Sequence, residues 1–159
     1  MKTTIYLLMA AMLLTAALAV PGAAQNLIPF KGAIQGQESD SGEFPIITVN
    51  GSCTGIATVV GKLSLTYQET IDLRTASGTG IGQLIAANGD TIYLTNTGSA
   101  DLVSQPGFAI ITEIYTITGG TGRFAGAQGS FSLDRSVNNA TGFTSGSFHG
   151  TITSPGAAH

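Results

Sequence analysis

The chain has 159 residues, of which 43% are hydrophobic and only 9% charged, with a formal net charge of −3 and one cysteine. So much apolar content with so little charge excludes a disordered chain, which needs the reverse. The six Lys and Arg are scattered rather than clustered, which excludes the basic face that nucleic acid requires, so no nucleic-acid partner is expected.

Residues 1–24 have the layout of a secretory signal peptide, with Lys2 ahead of an uncharged apolar stretch over residues 5–20. Cleavage after Ala24 leaves Gly22 and Ala24 at the small-residue positions a signal peptidase reads, and Ala17-Leu18-Ala19 offers an earlier site. The stretch is shorter than the roughly 20 apolar residues of a membrane span, and no basic stop-transfer cluster follows it. The expectation is therefore a signal-peptide helix that is removed, no permanent membrane span, and a secreted or periplasmic protein.

Residues 25–159 then form one domain, long enough to bury about two-thirds of its unfolded surface without covalent staples. Cys53 stands alone and has no intramolecular partner for a disulfide. The alternation around it, with Ile47, Val49, Ala57 and Val59 on its side, reads it as a small buried filler.

From Phe30 onward the pattern has period two, interrupted by Gly, Asn, Asp, Ser and Pro at turn-like spacings. The pattern predicts eight strands, over 30–38, 46–60, 62–73, 80–88, 91–102, 108–118, 128–136 and 142–153. The clearest turn is Asn88-Gly89 within Ala87-Asn88-Gly89-Asp90-Thr91, where Asn-Gly favours a tight hairpin. Eight strands joined by short antiparallel turns point to an all-β, eight-stranded antiparallel barrel, because closure removes edges that a weakly charged chain would otherwise expose. Spacing by itself leaves a two-sheet sandwich open.

The run from Thr118 to Ala127 (Thr-Gly-Gly-Thr-Gly-Arg-Phe-Ala-Gly-Ala), followed by Gly129-Ser130-Phe131, lacks the Gly and Lys spacing of a phosphate loop. It reads as a compact turn whose Phe124 plugs one barrel end. The same run, with Phe30-Lys31-Gly32 and the Ala87 to Thr91 hairpin, resembles allene oxide cyclase-like barrels, including bacterial exported relatives, and more distantly plant dirigent proteins. That resemblance implies a calycin-type barrel whose characterised plant members hold hydrophobic ligands or reactive intermediates inside. Bacterial members often carry a Thr-His-Leu-Gly-Arg-like segment, where this chain reads Thr58-Val59-Val60-Gly61-Lys62. A role for that imidazole is therefore absent.

Alternation also puts ionisable residues on apolar faces, which is costly unless they are paired. Glu69 shares a side with Leu63, Leu65, Tyr67, Ile71 and Leu73. Glu38 falls with Phe30 and Ile34, Glu113 with Ile111, Tyr115 and Ile117, and Arg135 with Phe131 and Leu133. In an up-and-down barrel Glu38, Glu69 and Arg135 come to one end and Glu113 lies about halfway down. The candidate ligand-binding residues are Glu38, Glu69, Arg135, Tyr67, Glu113 and Tyr115, as a polar mouth over an apolar cavity. The alternative is an inconsequential Glu-Arg pair at a rim.

No catalytic residue is assigned. Histidine occurs only at 149 and 159, no serine sits in a nucleophile elbow, and no segment has metal-ligand spacing, so no metal or cofactor is expected. The leading functional expectation is an exported barrel enclosing a small hydrophobic ligand. The alternatives are an isomerase or cyclase acting on a lipid-like substrate, and a structural or self-associating envelope protein. Homo-oligomers are compatible with each.

Overall fold

The computed structural model describes residues 26–153, 155 and 156. The expected signal-peptide helix lies outside the described residues. Eight strands follow in order: β1 (Leu27–Glu43), β2 (Ile46–Ala57), β3 (Gly61–Asp72), β4 (Ser77–Ala86), β5 (Thr91–Asp101), β6 (Phe108–Gly120), β7 (Gly129–Asn138) and β8 (Phe143–Thr153). Each pairs antiparallel with the next, and β8 returns to β1, from Leu27 opposite Thr153 to Gln37 opposite Phe143. The sheet is thus a closed barrel, and the sandwich is excluded.

Period-two sequence becomes a two-faced wall because successive side chains of a strand point to opposite sides. In β3, Leu63, Leu65, Tyr67 and Glu69 are buried while Thr66, Gln68 and Thr70 face outward. Strand β1 runs five residues beyond the expected end. Ser39, Asp40, Ser41, Gly42 and Glu43 look like a turn by composition, yet pair with Asn50, Val49, Thr48, Ile47 and Ile46, so a polar ribbon extends β1 and β2. Strand β2 stops earlier than expected. Its chain turns at Thr58 to Val60, with Val59 at a φ of +69°, and the turn makes Val60 rather than Val59 the fully buried residue. The Asn88-Gly89 hairpin forms as expected, with Gly89 at a φ of +89°; Asn88 does not take a positive φ and instead bonds Asp90 through its side chain.

The barrel has two unlike halves. At the end carrying the β2–β3, β4–β5 and β6–β7 turns the interior is solid: Phe30, Phe131, Phe148 and Tyr115 pack ring on ring, with centroids 4.9 to 5.4 Å apart. Phe124, on a single 3-10 turn (Gly122–Phe124), is 1% exposed and closes that end, as its sequence position suggested. At the other end the interior is open. Among the described residues no helix is long and apolar enough to cross a membrane.

Candidate functional site

The open half is a funnel of about 580 Å³. Its walls come from the last inward residues before the open-end turns, among them Ile47, Ile71, Leu73, Ala100, Ile111 and Val137. Below them the next inward residues are polar. Glu38, Glu69, Asn96, Glu113 and Arg135 form one layer between the apolar funnel and the aromatic core. The charged groups are therefore a floor beneath apolar walls, an order of depth opposite to a polar mouth above an apolar cavity. They are not a solvated rim pair either: the side chains of Arg135, Glu69 and Glu113 are 1%, 3% and 3% exposed.

Arg135 organises the floor. Its Nε donates to Glu113 Oε2 at 3.0 Å, and Nη2 donates to Glu113 Oε1 at 3.1 Å and Glu69 Oε2 at 3.3 Å. Its Nη1 donates to Glu38 Oε2 and, at 3.4 Å, to the Thr144 hydroxyl. A guanidinium has five N–H groups, so Arg135 has none left over. Tyr67 Oη donates to Glu38 at 2.7 Å, Tyr115 Oη to Glu69 at 3.4 Å, and the Asn96 amide to both Glu69 and Glu113. The structure thus gathers all six sequence candidates, and places Glu113 level with the other charges rather than separately.

Asn96 and Thr144 were not among those candidates. Asn96 shares the parity of Ile92 and Leu94 along β5, and that parity was the available signal. Thr144 is fully buried near the start of β8, where the parity of Phe148 and Ile152 gave the same hint.

The layer fits because glycine stands beside its polar side chains across the strands. Glu38 and Tyr67 both neighbour Gly51, Glu69 and Asn96 both neighbour Gly80, Glu113 neighbours Gly98, and Arg135 neighbours Gly146. A Cβ at Gly98 would lie 2.6 Å from Glu113 Cγ, so each side chain lies across the space a methyl group would fill.

Three carboxyls around one guanidinium cannot all be charge-balanced. Burial, reinforced by the neighbouring Glu113 carboxyl, pushes Glu69 up to about 8, so it holds a proton at neutral pH. Burial opposes the Arg135 charge, but the surrounding carboxylates, Glu113 foremost, outweigh it and hold the guanidinium protonated. Burial likewise keeps the Tyr67 and Tyr115 phenols in their donating form. Cys53, beneath the floor and 2% exposed, is pushed up to about 11 by burial. The floor can hold a polar group, and it keeps a protonated carboxyl beside charged partners, the combination that acid-base chemistry needs. Among the described residues no group of three or more His, Cys, Asp or Glu is placed to hold a metal ion.

The closed eight-stranded barrel is a fold shared with solved dirigent proteins. Two solved structures have it: the pterocarpan synthase dirigent protein GePTS1, at 16% identity and a TM-score of 0.60 over 96% of this chain and 99% of that one, and the pterocarpan synthase dirigent protein PsPTS1, at 12% identity and a TM-score of 0.60 over 82% of this chain and 97% of that one. No family model and no curated protein matches the chain.

Proposed function

We propose that this chain is an exported barrel of the allene oxide cyclase-like and dirigent-like kind that encloses a small, largely hydrophobic molecule in its funnel. The observation that carries this reading is the funnel itself: about 580 Å³ of space between apolar walls, ending on a floor of buried, mutually bonded polar groups. Ligand sites combine these features, apolar area for affinity and a few fixed polar groups for orientation. The six residues singled out by alternation, Glu38, Tyr67, Glu69, Glu113, Tyr115 and Arg135, would orient the ligand's polar end directly or through their neighbours. A purely structural envelope role fits less well, since it gives no reason to keep half the barrel open. Export, to the periplasm or beyond the cell, rests on the leader-like residues 1–24.

A second reading is favoured by the proton on Glu69. A barrel that holds an acid next to charged partners could isomerise or cyclise its ligand, the apolar walls fixing one conformation while a carboxyl gives or takes the proton. The structural neighbours are named as synthases, which agrees with this reading.

A native mass spectrum of the protein purified from its own host tests the first reading. A retained small molecule on the wild-type protein, lost when Ala100→Trp fills the funnel, is the expected result; a bare protein that also retains nothing from a lipid extract would end it. Conversion of the retained molecule on incubation, abolished by Glu69→Gln, would favour the second.

A further inference from the structure

We infer that the funnel selects a lipophilic amine: an apolar body carrying a positively charged, hydrogen-bond-donating head. This inference rests on the ligand-holding reading and adds the chemistry of the head group. The first observation is a donor census. Every side-chain N–H and O–H of Arg135, Asn96, Tyr67 and Tyr115 is directed at an acceptor inside the protein. Arg135 is the cation that would be expected to capture a carboxylate or phosphate, and all five of its N–H groups are engaged. An anionic head arriving on the floor would find that cation already engaged.

The second observation is an acceptor without a donor. Asn96 is 5% exposed, borders the funnel, and its Oδ1 has no hydrogen-bond partner. That oxygen is packed against Gly80, which does not line the funnel. Glu38, by contrast, borders the funnel with its side chain 12% exposed and is bonded through Oε2 alone, so its Oε1 is an acceptor that a ligand N–H would satisfy. The assignment of the amide follows from its surroundings, because both Glu69 and Glu113 accept from its nitrogen.

The third observation is the sign of the charge. Four carboxyls border the funnel, Glu38, Asp40, Glu69 and Glu113, and with the proton on Glu69 set aside three still face the single guanidinium of Arg135. An incoming cation lowers the repulsion among them and an incoming anion raises it, in a space where apolar walls weaken screening by water. A free acceptor, an Arg135 with every N–H engaged and excess negative charge all favour the same head group.

Isothermal titration of the purified protein with decylamine, 1-decanol and decanoate tests this with one chain length and three heads. Decylamine is expected to bind at least about tenfold more tightly than decanoate, with the alcohol between them. Asp40→Asn removes an exposed carboxylate of the funnel wall and is expected to weaken the amine about two- to fivefold while leaving the alcohol unchanged. Ala100→Trp, made at a half-buried wall position, is expected to abolish binding of all three. Decanoate or decanol matching decylamine overturns the inference and leaves the ligand-holding reading intact. Amine binding unaffected by Asp40→Asn, or surviving Ala100→Trp, also overturns it. Failure of all three molecules to bind overturns both readings together.

Discussion

Tyr67 and Glu38 lie on strands β3 and β1, separated by β2, and join over Gly51 through a 2.7 Å hydrogen bond from the phenol to the carboxylate. Gly51 is the register partner of both, so the bond spans a position where β2 has no side chain. A Cβ there would overlap the Tyr67 ring. Gly51→Ala should therefore move Tyr67, break its bond to Glu38 and destabilise the fold by about 1 to 3 kcal/mol, as overpacked cores do. Chemical denaturation measures the loss; a variant as stable as wild type would mean the ring is not confined as described.

Arg135→Met should cost about 3 to 5 kcal/mol at neutral pH, because it leaves three carboxyls buried around an apolar side chain. Urea unfolding at neutral pH measures the loss; a variant as stable as wild type would show that the guanidinium does not hold the layer together.

The proton on Glu69 has a signature in stability against pH. In the folded protein this carboxyl is raised to about 8 from an ordinary 4.5, so between those values the folded state binds more proton than the unfolded state. The stabilisation is complete below 4.5 and is lost as pH rises through about 8, with a slope of at most about 1.4 kcal/mol per pH unit for a single proton. Glu69→Gln has no proton to lose. The stability of wild type minus that of Glu69→Gln should thus fall across this window, and a flat difference would show that Glu69 is ionised throughout.

Cys53 should be inert in the native protein. Its thiol is 2% exposed and raised from 9.0 to about 11, which leaves on the order of a hundredfold less thiolate at a given pH. A coloured disulfide reagent should label it only after denaturation in guanidinium. Rapid labelling under native conditions would require an opening of the barrel beside β2.

The sequence determined by itself which side chains face inward. Facing follows from a two-residue period that each strand carries alone, so Glu69 could be read as inward from Leu65 and Tyr67, and Arg135 from Phe131 and Leu133. The same rule applied to β5 would have found Asn96 beside Ile92 and Leu94, but a neutral amide among threonines draws less notice than a misplaced charge. Composition was a weaker guide to ends: Ser39 to Gly42 resembles a turn, but in the barrel it pairs as strand because β2 supplies partners for its backbone.

Depth and partnership were decided only by tertiary structure. How high a residue sits depends on the stagger of all eight strands around the closed barrel, a sum of registers that no single strand contains. That stagger brings Glu113 level with Glu38 and Glu69 and sets the charges beneath apolar walls. It also exhausts the donors of Arg135, because the carboxylates that engage them come from β1, β3 and β6, residues far apart along the chain that meet only when the sheet closes.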